Sequence, residues 1–184
     1  AIGPFAIDEG LIDVDDGEPL VRLYNTNTSK IVHARVPVDS GQTVIAGDFE
    51  LQGVAGTGAK LKLDYLDPGG AGTGKLLPTG RVAETLDVEG LGKVLVSLVD
   101  AATPMVFVAA NALGMTATES PVVLDADHRT KARLENIRCA GAVRMGMANR
   151  PEDTGLASPR IAICAAPTAF TNLSGETVNA AAQD

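Results

Sequence analysis

An α+β fold is predicted by three features of the sequence: alternating apolar runs that begin at Leu20 and recur as far as Ala165, one stretch of helical periodicity from about Asp127 to Met147, and turn-forming residues between the runs. Strands bounded in this way by Gly, Pro, Asp and Asn give a sheet content that is high and mostly antiparallel in character. The 184 residues, 45% of them apolar, are enough to bury a real core. With no Trp, 2 Tyr and 4 Phe, that core is filled by Val, Ile, Leu and Ala.

The chain opens on Ala1-Ile2-Gly3-Pro4-Phe5-Ala6-Ile7-Asp8-Glu9-Gly10, apolar residues closed by a Gly, the pattern of the last turns of a helix and its C-terminal cap. A helix tail implies a helix start that lies elsewhere; a short native helix with its Met removed is the other reading. From Leu20 the pattern alternates. Val21 and Leu23, then Val32, Ala34 and Val36, mark two strands around Asn25-Thr26-Asn27-Thr28-Ser29, a hairpin. Further strands are predicted over Thr43 to Ala46, Lys60 to Leu66, Lys93 to Val99, Met105 to Ala109 and Arg160 to Ala165.

The long helix is carried by Leu134, Ile137, Ala140 or Gly141, and Met145, behind an Asp at 127 that can cap it. A short helix is predicted near Ala109 to Gly114, an exposed connector over Asn149 to Pro159, and a loose tail after Phe170. Pro68-Gly69-Gly70-Ala71-Gly72-Thr73-Gly74 separates two strand-rich halves and is the predicted domain boundary, giving units of 1–70 and 71–184.

A formal net charge of −8 opposes nucleic-acid binding, which needs a basic footprint. No apolar run is long enough to span a bilayer, and no basic-then-apolar leader opens the chain, so the reading is of a soluble, cytoplasmic protein. Cys139 and Cys164 have neither C-x-x-C spacing nor a neighbouring His, and are read as buried structural thiols. Asp13, Asp15, Asp16 and Glu18 lack the spacing of a calcium loop and are read as a solvated acidic turn, so no metal is implied.

Gly69 to Lys75 matches the opening of a phosphate-binding loop, yet Leu76 stands where a hydroxyl must hold magnesium and Pro78 where a helix must run. There is no G-x-S-x-G, and His33 and His128 are isolated. What remains are two backbone-exposing motifs, Gly72-Thr73-Gly74-Lys75-Leu76-Leu77-Pro78-Thr79-Gly80 and Asp100-Ala101-Ala102-Thr103-Pro104-Met105-Val106-Phe107-Val108. Hydroxyls and free amides beside Gly and Pro can bind carboxylates without a basic protein; tight turns between strands are the alternative reading of each.

Those motifs, taken with Gly3 to Leu11, Val21 to Thr28, Gly53 to Ala59 and Ala142-Val143-Arg144-Met145-Gly146, resemble the 2-methylaconitate isomerase (PrpF) family of the diaminopimelate-epimerase-like superfamily, which includes methylitaconate isomerases and oxalomesaconate tautomerases. The resemblance spans nearly the whole chain. It implies two related lobes, each a curved, mostly antiparallel sheet around a helix, with substrate in the cleft between them; residues 1–70 would be the remainder of the first lobe and 71–184 an incomplete second. It implies a proton moved between positions of an unsaturated di- or tricarboxylic acid without a cofactor. The family's reactive Cys, in an Asn-Cys-Gly-Asn motif, would fall upstream of Ala1, leaving no catalytic residue in this sequence. Cys139, deep in its helix, is read as a packing residue rather than a substitute base.

The cleft residues the resemblance suggests are Lys75, Thr79, Thr103 and Met105; the Thr103-Pro104 turn resembles an Asn-Pro-His turn of the amino-acid epimerases, with Thr103 and Met105 replacing Asn and His. A second reading is a non-catalytic carboxylate-binding or assembly module of the same fold. Exposed apolar edges would make the isolated chain dimerise or aggregate, so a homodimer is an expected partner state.

Overall fold

The alternation of small and β-branched residues after Leu20 is realised in a computed structural model that describes residues 2–51, 54–172 and 174–182, with helices and sheets in two compact units, 1–71 and 72–184. Ala1, and Gly53 of the Gly53 to Ala59 segment, lie outside the described residues.

In the first unit α1 (Ile2–Asp8) ends at Gly10, whose φ of 64° is the left-handed cap that Gly adopts without penalty. β1 (Leu20–Asn25) and β2 (Lys30–Arg35) form the predicted hairpin in the register Asn25 opposite Lys30, with the Asn25 side chain accepting from the Asn27 amide at 3.0 Å. Val38–Asp39 (β3) and Gln42–Thr43 (β4) pair around the Ser40-Gly41 turn, and Phe49–Glu50 (β5) pairs with Thr57–Gly58 (β6). β7 (Lys62–Tyr65) joins β2 to complete a three-stranded antiparallel sheet. Ile7, Val21, Ala34, Val36 and Val38 are buried together beneath it.

The strand predicted over Thr43 to Ala46 is cut to its first residue. Beyond it the backbone is satisfied outside a ladder: Val44 donates to Pro37, and Ala59 donates to Ile45. Gly47 lies so close to the Gly58 and Ala59 backbone that a Cβ would sit 2.6 Å from the Gly58 oxygen. The acidic turn is also more than solvated, because the Asp16 carboxylate accepts from the Gly41 amide at 2.9 Å.

The second unit is a four-stranded sheet in the order β11-β10-β9-β8, from β8 (Glu84–Val88), β9 (Gly92–Ala101), β10 (Thr103–Ala109) and β11 (Arg160–Cys164). Its pairs are antiparallel except β10 with β11, which run parallel and are connected through a 3-10 turn at Ala110–Leu113, α2 (Pro121–Ala126) and α3 (His128–Arg144). Alternate residues Leu86, Val88, Val94, Val96, Leu98, Val106 and Val108 face one way and pack with Ile137 and Met145 of α3 and its cap. The helix approaches the sheet closely at Gly141, where a Cβ would lie 2.5 Å from Val106.

Asp127 caps α3, as its place before the periodic run predicts, accepting from the Thr130 amide and hydroxyl at 3.0 and 2.6 Å. Among the described residues the tail after Phe170, predicted to be loose, holds a strand pair: Phe170–Thr171 (β12) pairs with Thr177–Val178 (β13), and the Asn172 side chain accepts from the amides of Ser174 and Glu176. Cys139 is partly buried and Cys164 is exposed. The expectation of two buried thiols is therefore corrected; Cys164 ends β11, which among the described residues is the edge strand of its sheet.

Candidate functional site

Along β9 the inward row runs Val94, Val96, Leu98 and then Asp100, so a carboxylate occupies a position that the alternation assigns to an apolar side chain. Asp100 is 0% exposed. Its Oδ2 accepts the Gly72 amide at 2.8 Å, the Thr73 amide at 2.7 Å and the Thr73 hydroxyl at 2.8 Å, while its own amide donates to the Leu76 carbonyl at 2.8 Å. The Thr73 hydroxyl also lies 3.1 Å from the Lys75 carbonyl, but one proton serves one acceptor, and the nearer, charged carboxylate is the stronger. The phosphate-loop-like segment therefore has its Gly72 and Thr73 amides taken by the protein's own carboxylate.

Asp100 stands opposite Pro104 across the β9–β10 turn, whose middle residue Ala102 has φ 64°. Gly72 packs onto that proline so tightly that a Cβ would lie 2.8 Å from Pro104 Cγ. The two motifs singled out in the sequence thus meet at one point. Thr103 and Met105, two apart on β10, share the face opposite to buried Pro104 and Val106. Thr103 is exposed and Met105 half-buried, paired with Val99 on one side and Arg160 on the other. Lys75 is exposed on the loop between the two points where Asp100 holds it.

Thr79 is half-buried and turned towards Glu84 at the start of β8. Glu84 is 7% exposed and accepts from Arg144 Nε at 2.6 Å. Burial pushes its carboxyl up, but the Thr79 hydroxyl and Arg144 hydrogen bonds, with the charges of Arg144 and Arg81, outweigh it and hold the group below its ordinary value. The Thr79 contact is a loose one: neither the hydroxyl nor Glu84 Oε1 has a well-formed hydrogen bond among the described residues. Of the four predicted residues, Lys75 lies in the segment that Asp100 bonds at Gly72, Thr73 and Leu76, Thr103 and Met105 flank its strand partner Pro104, and Thr79 faces Glu84. Sequence reasoning held Asp100 only as the first residue of a motif, without its role, and missed Glu84. The available signal was an acidic residue in each inward, otherwise apolar row.

A separate cleft of about 430 Å³ in this unit contains Cys139, with Asp87, Glu89, Glu135 and Glu152 also lining it. Four carboxylates repel an anionic ligand. Burial, then the Glu135 carboxylate 3.4 Å away, raises the Cys139 thiol above its ordinary value despite the Thr154 hydroxyl, so it is a poor base at neutral pH. In the first unit a groove of about 580 Å³ is lined by Ile2, Tyr24, Asn25, Leu63 and Tyr65 among others, with no charged side chain among the described residues. Among the described residues no group of three or more His, Cys, Asp or Glu could hold a metal, and no helix is long and apolar enough to cross a membrane.

This fold is that of a solved isomerase over about half of the isomerase's length. The PrpF protein family model matches residues 1–184, and the chain belongs to that family. It is 38% identical over 182 residues to the 3-methylitaconate isomerase of Eubacterium barkeri, covering 97% of this chain and 48% of the relative. It is 34% identical over 189 residues to the 2-methyl-aconitate isomerase of Shewanella oneidensis, covering 98% and 48%. The 4-oxalomesaconate tautomerase of Pseudomonas putida is 38% identical over 164 residues, 86% of this chain and 44% of that one. A crystal structure of methylitaconate-delta-isomerase superposes with a TM-score of 0.81 at 38% identity, covering 98% of this chain and 47% of that chain. The chain spans about half the length of the relatives it matches.

Proposed function

We propose that this chain is the substrate-binding portion of a cofactor-independent isomerase that moves a proton and a double bond in an unsaturated di- or tricarboxylic acid of the 2-methylaconitate type. The observation that carries the reading is the match of the PrpF family model over residues 1–184, with relatives named as isomerases or tautomerases of such acids. The two units, 1–70 and 71–184 in the sequence reading, are assigned to the two lobes of that enzyme. Lys75 supplies a positive charge and the exposed Thr103 a hydroxyl for substrate carboxylates, and Met105 supplies an apolar wall. A local cation matters because a protein of net charge −8 otherwise repels a polyanion.

Proton abstraction is not assigned to Cys139, which burial and the neighbouring Glu135 carboxylate hold protonated. A metabolic acid as substrate supports a cytoplasmic setting, and exposed Ile2, Tyr24 and Tyr65 support self-association of the isolated chain. The test is isotope exchange in heavy water with 2-methylaconitate and methylitaconate, using the protein expressed from its complete reading frame. Exchange that falls at least about tenfold in K75A at fixed low substrate is expected. Saturable binding of the acid with no exchange would replace the isomerase with a carboxylate-binding module, and neither binding nor exchange would remove this substrate class.

A further inference from the structure

The geometry points to Asp100 as a positioning residue for substrate binding: it fixes the segment that carries Lys75 against the turn that carries Thr103 and Met105. The inference rests on the isomerase reading, since it concerns how that reading's binding residues are held. Three observations lead to it. Asp100 takes the fourth place in the row Val94, Val96, Leu98, Asp100, where Leu or Val would bury without the desolvation that a carboxylate suffers. Its Oδ2 collects three donors, all from Gly72 and Thr73, while Oδ1 has no hydrogen-bond partner among the described residues, so the group is poorly satisfied as a purely structural element. Its grip is also bilateral. Carboxylate and backbone amide hold Thr73 and Leu76, the positions bracketing Lys75, and the strand partner Pro104 seats Gly72 where no side chain would fit.

A residue that only stabilises the fold would, when altered, lower the fraction folded and leave the kinetics of the folded molecules intact. A positioning residue changes where Lys75 and Thr103 stand, and its loss appears as weakened substrate binding. Asp100 does not itself touch the substrate in this account, because its bound oxygen faces the loop amides.

The experiment compares K75A, D100N, T73V and the K75A/T73V double variant in the protein expressed from its complete reading frame. It measures kcat and KM for 2-methylaconitate, and backbone amide exchange in peptides covering 72–76. The expected result is a KM raised about tenfold in D100N and about threefold or more in T73V, with kcat within about threefold. Faster amide exchange at 72–76 should accompany it, and K75A/T73V should be less than additive because both act through one cation. If K75A raises KM while D100N and T73V leave it unchanged, Asp100 is not a positioning residue and the isomerase reading stands. If K75A changes neither constant, the loop is not the binding segment, and the role given to Asp100 falls with it. Should D100N not fold, T73V and the double variant decide the matter alone.

Discussion

Arg144 Nε lies 2.6 Å from Oε2 of Glu84, tying the last residue of α3 to the first residue of β8. The carboxylate side chain is 5% exposed and the guanidinium side chain 48%, so the two partners are unequally dependent on the pair. Loss of Arg144 strands a buried charge, whereas loss of the Glu84 charge leaves an arginine that water can solvate. R144A is expected to cost about 1–3 kcal/mol and E84Q less, read from urea midpoints at neutral pH.

The same pair sets an acid sensitivity. Glu84 is held below its ordinary value of 4.5 because its hydrogen bonds and the nearby arginines outweigh burial; Glu135 is held below it chiefly by the hydrogen bond from Arg138. A carboxyl depressed on folding contributes stability that is complete above its unfolded value and disappears as pH falls through the folded one. Melting temperature should therefore drop between about pH 5 and pH 3. In R144A the drop should be shallower, since the partner that depresses Glu84 is gone; an equal slope in both proteins would remove Glu84 from the account.

Gly141 sits within α3, where alanine would ordinarily gain about 1 kcal/mol of helix propensity. Here the new Cβ would fall 2.5 Å from Val106 Cγ2 and 3.4 Å from Leu98 Cδ2, both in fully buried side chains that cannot retreat into solvent. Overpacking of this kind costs about 1–3 kcal/mol, so G141A should destabilise despite the better helix former. G141A combined with V106A should recover part of the loss, and a thermal melt of the three variants checks the sign.

Arg138 is 5% exposed, and its guanidinium donates twice to Glu135 at 2.8 and 2.7 Å and to the carbonyls of Gly155 and Pro159 at 2.8 and 3.1 Å. It anchors a segment that composition alone marks as an exposed connector, although Pro159 within it is fully buried. A lysine ammonium cannot reproduce the planar fork. R138K should cost about 2 kcal/mol and increase amide exchange over 155–159, with little change in residues 2–51.

Local signals made much of the fold legible. Asp127 before a helical run, Asn25 to Ser29 between alternating strands and Gly10 after an apolar turn each act within a few residues, and each has its predicted part. β8 escaped because Glu84 takes an inward place in a row that otherwise holds only Leu86 and Val88, and that place is stabilised by an arginine sixty residues later, which no local window contains. The site divides in the same way. Its loops were visible as Gly and Pro punctuation, but the partner of the loop amides is a carboxylate 27 and 28 residues away, and chain spacing does not specify such a pairing.

The two cysteines give a final contrast that bears on the chemistry. Cys164 ends β11 and is exposed, while Cys139 is half-buried, with its thiol raised by burial and by Glu135. Alkylation requires the thiolate and access to it. Iodoacetamide at about pH 7.5 should therefore label Cys164 at least about tenfold faster than Cys139, followed by mass spectrometry of the two peptides. E135Q should speed labelling at Cys139 by removing the neighbouring negative charge, provided Arg138 keeps its carbonyl partners. If Cys139 instead reacted first in the unaltered protein, it would be a ready thiolate at neutral pH, and the assignment of proton abstraction away from Cys139 would have to be reversed.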